Sequence, residues 1–182
     1  MSEPKRCMQA VLAGFGGQGI LFAGKIIANA GLLEDRELSW LPSYGPEMRG
    51  GTANCSVCIS DDPIGSPLVL NPDVLVVMNQ PSLDKFEHSV QPGGLVIVDS
   101  TLVPRIPDMM PGVTVCAVPA TALAEEAGLK GLANVILVGK LFAETRFCSE
   151  ETIRAAVAAV VPARKKDKLA GNLRALELGI QA

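Results

Sequence analysis

The sequence predicts a single α/β domain whose core is a Rossmann-like, doubly wound and mostly parallel β-sheet. Short apolar runs alternate along the chain with longer segments of helical periodicity, as in strand–helix–strand units. The first apolar run leads into a glycine-rich turn, and later runs are apolar at every position, as in strands buried on both faces. A chain of 182 residues is long enough to bury about two-thirds of its unfolded surface in one core. We therefore expect one domain over residues 1–182.

The glycine-rich turn reads Ala-Gly-Phe-Gly-Gly-Gln-Gly over residues 13–19, between the apolar runs Met8 to Ala13 and Ile20 to Ala30. Its glycines permit positive φ and let another molecule approach the backbone closely. A helix over about Gln18 to Ala30 would direct its free N–H groups and its positive dipole end at the turn, which favours an anion. We therefore predict a cofactor-binding turn made of Gly14, Gly16, Gly17, Gln18 and Gly19.

The same glycines also satisfy the spacing of the dinucleotide-binding pattern. That pattern needs an acidic residue at the end of the second strand, where the carboxylate holds a ribose hydroxyl. Here Glu34, Asp35 and Glu37 come before the second apolar run. The glycines that would bind the phosphates of a dinucleotide are thus present, but the acidic residue that would bind its ribose is missing. A free-standing NAD(P)- or flavin-binding module is the alternative function for this chain.

A second unusual segment, residues 41–51, reads Leu-Pro-Ser-Tyr-Gly-Pro-Glu-Met-Arg-Gly-Gly. Its two prolines and three glycines predict a loop through most of its length. We interpret Tyr44, Glu47 and Arg49 as an interface or substrate loop, because an arginine can clamp a carboxylate or phosphate with two hydrogen bonds. A solvated surface loop is the alternative. In a doubly wound sheet this loop and the glycine turn share the carboxyl edge and line one crevice.

The composition narrows the class of function. Apolar residues make up 48% and charged residues 19% of the chain, and its net charge is −3. The sequence lacks the stripe of basic residues that is typical of nucleic-acid-binding proteins. Its apolar runs are all shorter than the roughly 18 residues that a membrane span needs. The apolar bias fits either a fully buried sheet or a surface covered by partner proteins. No signal-peptide core follows the first residues, so we expect a cytoplasmic protein with reduced thiols.

Cys55 and Cys58 form a CxxC motif within an apparent strand, Thr52 to Ser60. Residues three apart in a strand point to opposite faces, so we interpret both as core thiols and not as a redox pair or metal ligands. No other cysteine pair has the spacing of a zinc or iron–sulfur framework, and we expect no metal site on this chain. His88 lies far from both motifs and is expected at the surface. We therefore predict no catalytic residue.

The remaining segments read as scaffold. Strands are predicted at 74–78, 95–98 and 113–118. Helices are predicted at 121–127 and 132–144. Three further helices are predicted to begin at Ser82 as N-cap, at Ser149 as N-cap, and at the basic run 164–168. The Thr52 to Ser60 strand and the Pro67 to Leu70 stretch are too close for a crossover, which predicts an antiparallel hairpin between them at a sheet edge. Asp99, at a strand's carboxyl end, either borders the crevice or caps the following turn.

The two motifs together resemble one protein family. The sequences GFGGQG, SYGPEMRGG and TANCSVCIS, in this order and spacing, closely resemble the gamma subunit of the 2-oxoacid:ferredoxin oxidoreductases. The resemblance covers nearly the whole chain and includes Asn71 to Val74 and Asn134 to Glu144. It implies an accessory subunit, inactive in isolation, of a thiamine diphosphate-dependent enzyme that oxidatively decarboxylates a 2-oxoacid to an acyl-CoA.

The resemblance also implies where the cofactors lie. Thiamine diphosphate, magnesium and the iron–sulfur clusters belong to alpha, beta and delta-type (ferredoxin-like) partner subunits, and ferredoxin receives the electrons through them. Coenzyme A is the co-substrate. The glycine turn and the Tyr44 to Arg49 loop are expected to face the junction with the catalytic partners, near the access route of coenzyme A.

Overall fold

The computed structural model describes residues 7–44, 52–106 and 111–182, with the backbone alone at Tyr44 and at residues 164–166. The described residues form one six-stranded sheet in the order β2-β3-β1-β4-β5-β6. Its strands are β1 (Cys7–Phe15), β2 (Glu37–Tyr44), β3 (Thr52–Ser60), β4 (Val74–Val77), β5 (Leu95–Asp99) and β6 (Thr114–Val118).

The sheet is parallel on one side and antiparallel on the other. Strands β1, β4, β5 and β6 run parallel, whereas β3 is antiparallel to both β1 and β2. This arrangement confirms the predicted mostly parallel sheet with an antiparallel edge hairpin. The expected partners of that hairpin were wrong, because β3 pairs with β2 and the Pro67 to Leu70 stretch forms no strand. Since β1 and β2 occupy both edges of β3, Val69 packs on a sheet face instead.

The second predicted loop begins later than its prolines suggested. Strand β2 continues through Pro42 to Tyr44, so the first four residues of the expected loop are extended. Proline is tolerated there because β2 is the outermost strand of the sheet, where one side of the backbone needs no ladder hydrogen bond.

The helices of the described residues follow the predicted order. They are α1 (Ile20–Leu33), α2 (Gln80–Phe86), α3 (Ala120–Glu126), α4 (Ala133–Thr145), α5 (Glu150–Val160) and α6 (Leu169–Gln181), with short 3₁₀ helices at Glu87–Ser89 and Ala163–Lys168. No described helix has the length and apolar character needed to cross a bilayer.

Two of the predicted helix starts need correction and one is confirmed. Asn79, and not Ser82, caps α2, because the Asn79 side chain accepts a hydrogen bond from the Ser82 N–H at 2.8 Å. The basic run 164–168 belongs to the 3₁₀ helix that precedes α6. Ser149 does cap α5, since its hydroxyl accepts from the Thr152 N–H at 3.0 Å.

The helices cover the sheet on both faces. Ile26 of α1 and Ile136 of α4 are fully buried against residues such as Leu12 on the first face. Leu83 of α2 is buried against Val77 on the second face. The connection that leaves β1 and the one that leaves β4 therefore lie on opposite faces and lead toward opposite ends of the sheet. Such a switch in direction opens a crevice at the carboxyl ends of the two strands, which is where α/β proteins bind ligands.

Candidate functional site

The glycine turn occupies the switch point between β1 and β4. It connects the end of β1 to α1, and Gly17 and Gly19 adopt positive φ angles of 97° and 79°. Such angles favour glycine because they bring a Cβ atom close to the backbone. Gly16 and Gly17 are exposed, whereas Gly14 is buried. The turn thus presents bare backbone to solvent at the carboxyl edge of the sheet.

Gln18 holds this turn in shape. Its Oε1 accepts hydrogen bonds from the Phe15 N–H at 2.6 Å and from Asn79 Nδ2 at 3.3 Å, and its Nε2 donates to the Met78 carbonyl at 3.0 Å. One side chain therefore ties the start of the turn to the end of β4. Because the Phe15 N–H is already satisfied by Gln18, it is not offered to a ligand.

Asn134 locks the other end of the turn to α4. Its Nδ2 donates to the Gly19 carbonyl at 2.9 Å, and the residue is only 4% exposed. A Cβ atom at Gly19 would lie 2.5 Å from Asn134 Nδ2, which requires glycine there for space as well as for φ. Sequence reasoning did not assign Asn134 a role, although a polar residue in the first turn of an otherwise apolar helix was a usable signal.

A small cavity of about 250 Å³ lies in front of the turn. Its walls include Gly17, Gln18, Thr121 and Ala133, and its charged lining residues are Glu125 and Lys130. No side chain of the described residues caps the first turn of α1 or of α4. Ala133 at the start of α4 lines the cavity, so the free N–H groups of that helix start make this side of the cavity electropositive.

Asp99 serves the fold and not the cavity. It is fully buried at the end of β5, and its Oδ1 accepts from the Thr101 and Thr121 N–H groups at 3.1 and 3.3 Å. Its Oδ2 accepts from the Thr121 hydroxyl at 2.5 Å. Both oxygens are thus engaged in capping the following turn and the start of α3. Of the two predicted roles, the structure supports capping.

The second motif begins and ends at the same edge as the glycine turn. Tyr44 at the end of β2 pairs with Ala53, and Phe15 at the end of β1 pairs with Thr52. The backbone therefore leaves β2 and enters β3 beside the glycine turn. Glu47 and Arg49 lie outside the described residues, so their predicted roles stay predictions.

The acidic residues near the second strand lie at the other edge of the sheet. Glu37 is the first residue of β2 and pairs with Ser60, at the amino ends of the parallel strands. Glu34 Oε1 accepts a hydrogen bond from the Ser149 N–H at 2.7 Å and so supports the start of α5. Neither residue is near the glycine turn, so neither supplies the ribose contact of a dinucleotide site.

The histidine and the CxxC cysteines lie where they were predicted. The His88 side chain is 85% exposed, and its Nε2 lies 3.4 Å from Oε1 of the largely buried Glu87. Cys55 and Cys58 are both buried, and burial raises the pKa of Cys55 to about 12 and that of Cys58 to about 11. Cys55 belongs to the core of the first sheet face. Within the described ranges, no three Cys, His, Asp or Glu residues are grouped in a way that could hold a metal ion.

Comparison with known proteins settles the family. The family model described as pyruvate ferredoxin/flavodoxin oxidoreductase matches residues 9–182. The chain belongs to this family. The 2-oxoglutarate synthase subunit KorC of Methanocaldococcus jannaschii, a similar protein, is 41% identical over 174 residues, which cover 93% of this chain and 90% of KorC.

Two further proteins are similar to this chain over most of its length. The ketoisovalerate oxidoreductase subunit VorA of Methanothermobacter thermautotrophicus is 42% identical over 171 residues, which cover 93% of this chain and 35% of VorA. This chain thus spans about a third of the length of that relative. The crystal structure of a keto/oxoacid ferredoxin oxidoreductase gamma subunit from Geobacter sulfurreducens superposes with a TM-score of 0.82 at 29% identity, covering 96% of each chain.

Proposed function

We propose that this chain is the gamma-type accessory subunit of a thiamine diphosphate-dependent 2-oxoacid:ferredoxin oxidoreductase, which converts a 2-oxoacid to an acyl-CoA. The observation that carries the proposal is the end-to-end match to proteins that are themselves subunits. The chain covers 90% of KorC and 96% of the Geobacter gamma subunit. In this role the isolated chain is inactive, and turnover requires the alpha, beta and delta-type subunits.

The role of the chain in the complex is to present a shaped surface. The glycine turn offers backbone and neutral amides, since Gln18 and Asn134 hold it and the buried Asp99 is engaged on both oxygens. General acid–base catalysis needs a titratable group within hydrogen-bond reach of the reacting atom. The groups of the glycine turn are suited to binding and docking, and we assign the chemistry to the partner subunits.

The cofactors lie on those partners. An iron–sulfur cluster is held by several cysteine thiolates, and the described cysteines are not grouped with other ligands in that way. We place thiamine diphosphate with its magnesium ion, and the clusters that pass electrons to ferredoxin, on the alpha, beta and delta-type subunits. Coenzyme A is the co-substrate of the assembled enzyme.

The glycine turn fits an anionic group of coenzyme A. Gly14, Gly16, Gly17, Gln18 and Gly19 form the candidate binding turn. The uncapped start of α1 directs N–H groups at a phosphate, and Lys130 lines the cavity beside Gly17. The Tyr44 to Arg49 loop leaves the sheet at the same edge. We propose that both motifs face the junction with the catalytic partners along the access route of coenzyme A.

Co-purification from the native cell tests the accessory role. An affinity tag on the full chain is expected to recover partner proteins that contain thiamine diphosphate and iron–sulfur clusters, identified by mass spectrometry and by thiamine and iron analysis. Recovery of the tagged chain without such partners would overturn the proposal. Saturable binding of NAD(P) or flavin to the isolated chain at micromolar concentration would identify a free-standing nucleotide-binding module instead.

The proposed binding role of the Tyr44 to Arg49 loop is tested in the assembled enzyme. Arg49→Ala is expected to lower turnover by about tenfold or more, because it removes one charge-assisted hydrogen-bonding clamp, while the subunits still co-elute. Arg174→Ala is the matched control, because Arg174 is an exposed arginine on α6. Wild-type turnover of the Arg49→Ala complex would show that Arg49 is a surface charge without a binding role.

A further inference from the structure

The CxxC motif contains a thiol whose structural partner is elsewhere in the sequence. Cys55 and Cys58 lie on opposite faces of β3, so they do not face each other. In the antiparallel pairing of β1 with β3, Gln9 lies opposite Cys58 and Cys7 lies opposite Ser60. Cys7 and Cys58 are therefore diagonal neighbours on one face of two adjacent strands.

The two thiols differ in exposure. Cys7 is exposed and lines a cleft of about 610 Å³ at the amino edge of the sheet, whose walls also include Asp73, Gly93 and Arg146. Cys58 is 4% exposed. A small oxidant can reach Cys7 from the cleft, whereas Cys58 is covered. The arrangement thus separates an accessible thiol from a protected one.

The surroundings of Cys58 keep it in the thiol form. Burial, the neighbouring Cys7 thiol and the Asp73 carboxyl together raise the pKa of Cys58 to about 11. Because the thiolate is the reactive form, Cys58 does not compete with Cys7 for an oxidant. The influence of the Cys7 thiol on the pKa of Cys58 agrees with their diagonal positions on the paired strands β1 and β3.

We propose that Cys7 and Cys58 form a redox modification site at which a peroxide converts the two thiols into an intrachain disulfide. The Cys7 thiolate attacks one peroxide oxygen, the O–O bond breaks, and Cys7 becomes a sulfenic acid while the other oxygen leaves as water after protonation. The Cys58 sulfur then attacks the Cys7 sulfur while its S–H proton passes to the departing hydroxyl, so the S–O bond breaks and a second water leaves. Two thiols lose two electrons and two protons in total, and the peroxide is reduced to two waters.

The position of Cys7 makes this closure feasible. Diagonal neighbours start with their Cβ atoms farther apart than a disulfide requires, so the backbone must move. Cys7 is the first residue of β1, so closure displaces a strand end and leaves the strand interior in place. The bond would join β1 to β3 at the amino edge, on the opposite side of the sheet from the glycine turn.

Thiol mapping of the full chain tests the site. The reduced protein is treated with hydrogen peroxide, its free thiols are blocked with iodoacetamide under denaturing conditions, and its peptides are mapped without reduction. We expect a Cys7–Cys58 linked peptide as the main cross-link. Two of the five cysteines should then escape alkylation, and dithiothreitol should return both of them to free thiols. Full alkylation of Cys58 after peroxide treatment, or linkage of Cys58 to Cys55, would overturn the proposal.

Two single substitutions distinguish a Cys7–Cys58 disulfide from a disulfide within the CxxC motif. Cys58→Ser should abolish the intrachain cross-link and leave a Cys7 sulfenic acid that dimedone traps. Cys55→Ala removes the CxxC motif, and the Cys7–Cys58 peptide should form to the wild-type extent. Should Cys55→Ala fold poorly, Cys116→Ser replaces it as the control, because Cys116 lies on the separate strand β6. Loss of the cross-link in a folded control variant would contradict the assignment.

Discussion

The glycine turn at the carboxyl edge of the sheet is held by neutral amide side chains, whereas the backbone and loops at the amino edge are held by charged or titratable side chains. Gln18 and Asn134 fasten the glycine turn at the first edge. At the second edge Asp73 Oδ1 accepts from the Gln9 N–H at 2.9 Å, and Arg36 Nε lies 2.6 Å from Asp61 Oδ1. Both edges use side chains to satisfy backbone or fix loops, but with different chemistry.

The difference has a functional meaning. Amide hydrogen bonds keep the same partners across the physiological pH range, so the glycine turn is held in one shape whatever the charge state of the protein. Buried carboxyls and thiols change their protonation or oxidation state with the medium. We therefore expect substitutions of the amides that hold the glycine turn to have pH-independent effects, and those at the amino edge to depend on pH or on oxidants.

The largest expected effect is at Gly19. Gly19→Ala should lower the free energy of unfolding by about 3 kcal/mol, because it combines a left-handed backbone with a Cβ that overlaps Asn134. Urea denaturation measures the loss. Gly17→Ala is the matched control, since its φ is also positive but no atom lies within 4 Å of the added Cβ, and should cost about 1 kcal/mol.

A double-mutant cycle shows whether the overlap is the cause. Asn134→Ala combined with Gly19→Ala should recover about 1 kcal/mol or more relative to the sum of the two single losses. Equal losses for Gly17→Ala and Gly19→Ala, with additive double mutants, would mean that only backbone strain matters at Gly19.

The next effect is at Gln18. Gln18→Ala removes the hydrogen bonds to the Phe15 N–H and the Met78 carbonyl, and should lower the free energy of unfolding by about 2 kcal/mol. The loss should be the same at pH 6 and pH 8. Gln181→Ala is a suitable control, because that exposed glutamine donates a hydrogen bond to Glu177 on its own helix, and its loss should cost less than about 0.5 kcal/mol. A loss at Gln18 that varied with pH would break the contrast between the edges.

The smallest effect, with the opposite sign, is at Asp73. Burial raises the pKa of this carboxyl from 3.8 to about 6, so the folded protein binds its proton more tightly than the unfolded chain does. Stability is then unaffected by this group below about pH 4, falls between pH 4 and 6, and stays lower above pH 6. Asp73→Asn should therefore raise the free energy of unfolding at pH 7.5 by about 1 kcal/mol, after discounting for partial solvent screening.

Calorimetry across pH measures this gain. The melting temperature of Asp73→Asn should exceed that of the wild type by about 2–4 °C at pH 7.5, and the difference should vanish near pH 4. Asp84→Asn provides a control of opposite sign, because the hydrogen bond from Arg105 lowers the pKa of Asp84 and its charge is stabilising above the unfolded pKa. A pH-independent difference for Asp73→Asn would remove Asp73 from the titrating groups of the amino edge.

Local patterns predicted much of the fold and part of the site. Glycine spacing located the turn before α1, and continuous apolar runs located β4, β5 and the buried helix α4, because these signals lie within one element. The boundaries of the elements and the pairing of the strands were harder to predict. Pro42 suggested an early loop, but its position on the outermost strand allows β2 to continue. Nothing local indicated that β3 pairs with β2.

The sequence by itself determined the order of strands and helices, the glycine turn and the resemblance to a family, because backbone preference and apolar periodicity act over a few neighbouring residues. The tertiary structure alone decided which distant side chains meet. Asn134 reaches Gly19 across 115 positions, and Cys58 lies beside Cys7 and not beside Cys55. Such contacts depend on strand order and register, which are set by packing of the whole sheet and are not encoded in the spacing of any single segment.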